Sequence, residues 1–256
     1  MTLPFVISIP HCSDRIPDLI KPAIALNPDE ISDSVDWGTR EIFGSLDVEH
    51  ILWANWSRLV VDLNRAPERR DEKGVIPGID YCSRLVYRSD MAPMGTEIED
   101  RLKEYYWPYH HRLSKALEQS HIKGLFDVHS LYGIGPSEAP DAGRKRKDIV
   151  LSNNGDRQGQ ATPSLGRPTC HVQVLHMMQR VFNGAGFSVS LNDPYTAGYI
   201  TTHYGQGLCE KGLFAVQIEV NQDLFTEPGT IRIVPNRLAV TEARIRGCLE
   251  EIADRI

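Results

Sequence analysis

Short apolar runs rich in β-branched residues alternate with segments of helical period along the whole chain, and few folds accommodate that order. Phe5–Ile9, Ser57–Leu63, Gly124–Val128, Asp148–Ser152 and Phe214–Val220 read as mostly buried strands. Between them lie helix candidates. Ser34 can cap a helix running to Leu46. Gly95 to Gln119 carries Ile98, Leu102, Tyr105, Leu113 and Leu117, with Pro108 expected to kink or divide it. Cys170 to Phe182 places Val174, Leu175, Met178, Val181 and Phe182 on one side, and Ala239 to Ile256 does the same with Ile245, Cys248, Leu249 and Ile252. The alternation predicts one α/β domain spanning residues 1–256, with a mixed, mostly parallel sheet and helices on both faces. Two long irregular segments, Asn64–Ser83 and Ser130–Lys147, interrupt it, and stretches of that length in a compact domain are usually functional loops.

Composition removes several function classes. A net charge of −6 argues against broad nucleic-acid binding and against an anionic membrane surface, both of which want a basic face. No run approaches 18 apolar residues, and the start lacks a basic segment followed by a long apolar one, so neither a spanning helix nor a signal peptide is expected. Five scattered cysteines, never spaced C-x-x-C, read as reduced thiols in a cytoplasm rather than as a disulfide framework or a thiolate zinc cluster.

The reactive side chains fall where strands end. His11 and Asp14 follow the first strand, His129 ends the Leu-Phe-Asp-Val strand, and Glu219 lies near the end of the Ala-Val-Gln-Ile strand. In open α/β sheets, ligands bind outside the carboxyl ends of the strands. Catalytic zinc commonly takes two His and one carboxylate and leaves a fourth place for water. On that pattern His11, Asp14 and His129 are the candidate metal ligands, and Glu219 is the group that takes a proton from the bound water. Arg58 and Arg65 flank an otherwise apolar run, and guanidinium forks suit bidentate binding of carboxylates.

Pro10-His11, Arg58-Leu-Val-Val-Asp-Leu-Asn-Arg65, Asp127-Val-His-Ser130, Asn192-Asp-Pro-Tyr195 with Gly198-Tyr199, and Gln217-Ile-Glu219 stand in one order over residues 5 to 225. In that order the chain resembles the N-formylglutamate amidohydrolase (deformylase) family. The Tyr105-Tyr-Trp-Pro-Tyr-His110 run belongs to the same resemblance. The family is similar to the zinc carboxypeptidase and aspartoacylase group, which implies a zinc-carboxypeptidase-like fold of the phosphorylase/hydrolase-like kind. It also implies one divalent ion, Zn2+, and a small N-acyl acidic amino acid as substrate. N-formyl-L-glutamate, yielding formate and glutamate in histidine breakdown, would be the family reaction. Residue by residue, the resemblance implies Glu219 as general base, Arg58 facing the developing oxyanion, and Asn64 with Arg65 holding the α-carboxylate. The related peptidases carry Glu where this chain has Asp14, one methylene shorter, so Asp36 in Val-Asp-Trp-Gly is the alternative carboxylate ligand. The receptor for the substrate's side-chain carboxylate stays open among Arg69, Arg70, Arg88 and the Arg144–Lys147 cluster.

Rival readings are a carboxypeptidase, a deacylase for another N-acyl amino acid, or a metal-poor relative that binds a small acid without turning it over. His110, His111, His171 and His176 have spacings that do not put two ligands on one helix face. His203 sits on a Gly/Thr-rich stretch within possible reach of the site. Cys12 adjoins His11 but has no dedicated base nearby, and neither a P-loop nor a G-x-S-x-G elbow is present.

Overall fold

Along β1 (Leu3–Ile9), Phe5, Ile7 and Ile9 alternate with Val6 and Ser8, and the two sets go to opposite, equally covered faces of the sheet. The structure, a computed structural model, describes residues 2–256. Its sheet runs β2 (Val48–Trp53), β1, β3 (Gly124–Leu131), β6 (Phe214–Asn221), β4 (Ile149–Ser152), β5 (Val189–Leu191). All neighbours are parallel except β4, which is antiparallel to β6. This is the expected α/β architecture. On one face Phe126 packs against Phe5 and Phe214, with ring centroids 5.0 and 5.1 Å away, beneath α2 (Thr39–Phe43), α5 (Val172–Gly184) and α7 (Pro235–Asp254). On the other, Val6, Leu125 and Ala215 meet Tyr109 and Leu113 of α4 (Trp107–Leu117) and Ile200 and Leu208 of α6 (Tyr199–Glu210). Among the described residues, no helix is long and apolar enough to cross a membrane.

Three local expectations change. Ser57–Leu63 is buried throughout but is not a strand. Its backbone closes on turns, Val60 N–H onto the Ser57 carbonyl and Asp62 N–H onto that of Val75, while Val48–Trp53 takes the edge beside β1. Apolar periodicity reports burial, and a buried loop satisfies it as well as a strand does. Ser34 caps no helix. A five-residue α1 (Pro28–Ser32) starts earlier under an Asn27–Glu30 capping box, and α2 starts only at Thr39. Gly38 precedes it at φ +80°, where a Cβ would lie 2.5 Å from the Phe225 ring, so the chain turns there and Asp36 stays outside the helix. Pro108 does not divide its helix in two; the irregularity beside it is a change of winding. From α3 (Thr96–Arg101) the winding widens to a π-helix over Leu102–Tyr106 and returns to α at Trp107. The wider turn accommodates the missing N–H and the ring.

Candidate active site

Because β1, β3 and β6 are adjacent and parallel, their carboxyl ends lie along one edge of the sheet. His129 on β3 stands directly opposite Glu219 on β6, and His11 follows β1. The reversed direction of β4 brings Arg146, just before its start, to the same edge. These residues open onto a cavity of about 370 Å³, which Asp36, Arg58, Asn64, Arg65, Tyr81 and Tyr195 also line. Both long loops border it. A space of this size suits a small molecule.

At its floor, three ligand atoms converge. His11 Nδ1 and His129 Nδ1 are 3.1 Å apart, and Asp36 Oδ2 lies 3.3 Å from the first and 2.8 Å from the second. Donors held about 2.0–2.2 Å from one tetrahedral ion are separated by roughly 3.3 Å, so the group fits a divalent cation with little movement. The far nitrogen of each ring has a carboxylate beside it. His11 Nε2 donates to Asp62 at 2.8 Å, and His129 Nε2 lies 3.2 Å from the fully buried Asp127. Asp127 in turn accepts from Ser8 at 2.9 Å and Thr201 at 3.3 Å. With a metal bound, outer carboxylates of this kind favour the tautomer that leaves Nδ1 free to ligate. Burial disfavours the charged form of Asp36, but hydrogen bonds from both histidines outweigh it and hold the carboxyl well below the usual range. The donor set, two imidazole nitrogens and one carboxylate, is that of a catalytic zinc site.

Asp14 is not part of this group. It is exposed and lines a separate depression with Arg15, Lys21 and Trp56. After His11 the chain runs out along the surface, whereas the Gly38 turn points Asp36 inward, so the alternative carboxylate occupies the place.

Beside these three side chains, Arg58 donates to Asp62 Oδ2 at 2.7 Å and holds Nη1 4.0 Å from Asp36. Among the described residues, Arg65 has no carboxylate in salt-bridge range. Its guanidinium donates to the carbonyls of Lys73 and Asn64 and to the Tyr81 hydroxyl, at 3.0–3.2 Å. Tyr81 accepts from Arg58 at 3.2 Å too and so bridges the two arginines. Asn64 is engaged by the protein at both ends of its amide: Oδ1 accepts the Ile200 N–H at 2.8 Å, and Nδ2 lies 3.1 Å from His129 Nε2. This contact requires Gly198, where a Cβ would sit 2.2 Å from the Asn64 amide.

Glu219 is buried and accepts from Gln217 Nε2 at 2.9 Å. Burial pushes its carboxyl up to about 7, with Asp36 adding to the rise, while His129, Arg146 and the Gln217 bond pull the other way. A carboxylate so placed can exchange a proton near neutrality. Burial raises the Cys12 thiol to about 11, which removes it as a nucleophile. Among the histidines set aside, His110 is buried and bonded to Leu63, and His203 stacks on Tyr199. Of the open arginines, Arg69 and Arg146 line the cavity and Arg70 and Arg88 do not. Asp62, Asp127, Tyr81 and Tyr195 carry no role in the sequence reading, although all but Tyr81 lie inside its motifs.

The N-formylglutamate amidohydrolase family model matches residues 3–226. An N-formylglutamate deformylase of Pseudomonas putida is 27% identical over 245 residues, covering 90% of this chain and 85% of the relative. One from Pseudomonas aeruginosa is 27% identical over 263 residues, covering 98% and 92%. The crystal structure of N-formylglutamate amidohydrolase from Ralstonia eutropha JMP134 superposes with a TM-score of 0.80 at 20% identity, over 100% of this chain and 94% of that one. A gene product of Agrobacterium tumefaciens gives 0.69 at 19% identity, over 99% and 91%. The two structures share the fold, and the family match takes in every strand and every side chain of the cavity: this chain belongs to the N-formylglutamate amidohydrolase family.

Proposed function

We propose that this protein is a metal-dependent amidohydrolase that cleaves N-formyl-L-glutamate, or a similar small N-acyl acidic amino acid, to formate and glutamate. The observation that carries the reading is the convergence of His11, Asp36 and His129 beside Glu219, in a cavity also lined by Arg58 and Arg65. The names of the Pseudomonas relatives supply the substrate. Five unpaired thiols suit a reducing compartment such as the cytoplasm, and histidine breakdown is the corresponding setting.

A divalent ion such as zinc, held by His11 Nδ1, His129 Nδ1 and Asp36, would polarise the formyl carbonyl and acidify a water. Glu219 takes the proton of the attacking water as the C–O bond forms and the carbonyl becomes tetrahedral, then passes it to the amine, whereupon the carbonyl re-forms and the C–N bond breaks. Arg58, aimed past Asp36, faces the carbonyl oxygen as it gains charge. Arg65, half-buried and with no carboxylate in salt-bridge range among the described residues, holds the α-carboxylate, and Asn64 keeps His129 and the start of α6 in place.

Hydrolysis of N-formyl-L-glutamate, N-acetyl-L-glutamate and a C-terminal glutamyl dipeptide, with and without zinc and after chelation, tests the reading. The formyl substrate should be preferred and chelation should abolish turnover. Preference for the dipeptide would make this a carboxypeptidase, and full activity after verified metal removal would end the metal reading. Glu219→Gln should retain metal and lose roughly 10²–10⁴-fold in kcat. Loss of metal in that variant would make Glu219 a ligand instead.

A further inference from the structure

Glutamate carries a second carboxylate, and the cavity offers three cations beyond Arg58 and Arg65: Arg69, Lys73 and Arg146. Arg146 is committed. Its side chain is 2% exposed, and Nε and Nη2 donate to the two oxygens of Asp141 at 2.8 and 2.7 Å. Turning it to a ligand would strand a buried carboxylate. Arg69 pairs with Asp71, two residues along its own loop, and among the described residues meets no group from the opposite loop. Lys73 differs from both. Its carbonyl accepts from Arg65 Nε at 3.2 Å, which places it next to the α-carboxylate clamp. Its Nζ meets a carboxylate that arrives from the opposite loop, Glu138, at 2.5 Å, and the other oxygen of Glu138 accepts from Ser83. Glu138 presents at the rim the same head group, on the same two methylenes, as the side chain of glutamate.

We propose that Lys73 and Ser83 form the receptor for the substrate's side-chain carboxylate, and that Glu138 occupies this receptor until substrate displaces it. The assignment rests on the reading that Arg65 holds the α-carboxylate. It uses both long loops: the one after Asn64 supplies Lys73 and Ser83, and the one after β3 supplies Glu138. Exchange is energetically undemanding. The Lys73 and Glu138 side chains are 42% and 29% exposed, and pairs in such surroundings are weak because water serves both charges. A substrate already anchored through its α-carboxylate presents its second one at high local concentration and replaces Glu138 without a net loss of ion pairs.

The test compares KM for N-formyl-L-glutamate and N-formyl-L-glutamine in wild type, Lys73→Met and Glu138→Gln, with metal content and melting temperature measured for each. Lys73→Met should raise KM for the glutamate substrate up to about fivefold more than for the glutamine one, the size of a partly exposed ion pair. Glu138→Gln should lower KM for the glutamate substrate, because it removes the competing carboxylate. Equal penalties on both substrates in Lys73→Met would overturn the receptor. A raised KM in Glu138→Gln would make the pair a tie between loops and overturn the displacement. Should Lys73→Met lose metal or melting temperature, Lys73→Gln replaces it. If Arg65→Ala leaves the preference for a free α-carboxylate intact, the underlying clamp has failed; if it abolishes that preference while Lys73→Met discriminates nothing, only this assignment has failed.

Discussion

Asp14 and Asp36 are chemically identical, and only their surroundings separate them. One is exposed on a surface loop, and the other meets two buried imidazoles at 3.3 and 2.8 Å. Asp36→Ala should therefore lose bound metal and activity together, as His11→Ala and His129→Ala should, whereas Asp14→Ala should keep both. Metal analysis of the purified variants checks this, and a metal-free Asp14→Ala protein would reverse the assignment. Arg65 and Arg58 divide in the same way. If Arg65 clamps the α-carboxylate with equal strength in ground and transition states, Arg65→Ala should lose 10–150-fold, equivalent to about 1.5–3 kcal/mol, chiefly in KM. Arg58→Ala should act on kcat, because the charge it faces exists only as the carbonyl becomes tetrahedral. A substrate with an amidated α-carboxylate should handicap the wild type far more than Arg65→Ala.

Helix α4 and the π turn before it show how a whole element serves the site. Tyr106 Oη donates to the Arg65 carbonyl at 2.9 Å, and His110 Nε2 donates to that of Leu63 at 3.0 Å, so both grip the non-strand segment that carries Asn64 and Arg65. Burial pushes the His110 pKa down from 6.5 to about 4, with the Leu63 bond opposing. The sign follows. Above pH 6.5 the ring is neutral whether the chain is folded or not. Between pH 6.5 and 4 the unfolded chain binds a proton that the fold refuses, so this contribution to stability is lost as pH falls through that window. By pH 5 it amounts to roughly 2 kcal/mol. Urea midpoints at pH 7 and pH 5 should fall less for His110→Gln, which keeps a donor but cannot protonate, than for the wild type. Identical falls would show that the ring is not held neutral.

On the scale of the molecule, the site is an edge property of a sheet packed on both faces. Phe126 sits between Phe5 and Phe214 on the central strands whose ends carry His11, His129 and Glu219. Phe126→Ala should cost about 3–5 kcal/mol, read from denaturant unfolding, because rings locked on both sides cannot collapse into the space. A cost near 1 kcal/mol would show that the neighbouring strands can close the gap, since small volume changes in cores run to about that size.

The sequence was sufficient for whatever rests on local pattern and strand direction. Apolar runs and helical stripes required an α/β sheet covered on both faces, and the rule that ligands gather at strand ends singled out His11, His129 and Glu219, because a parallel sheet brings all such ends to one edge. Long-range packing decided the rest. That Ser57–Leu63 is a buried loop depended on which segment takes the sheet edge, and apolar content does not encode that choice. That Asp36 and not Asp14 joins the histidines depended on a left-handed turn at Gly38, where Phe225, almost two hundred residues away in the chain, leaves no room for a side chain. The orienting roles of Asp62 and Asp127 and the bridging place of Tyr81 arise only when separate segments meet, because a hydrogen bond between distant residues leaves no periodicity in either of them.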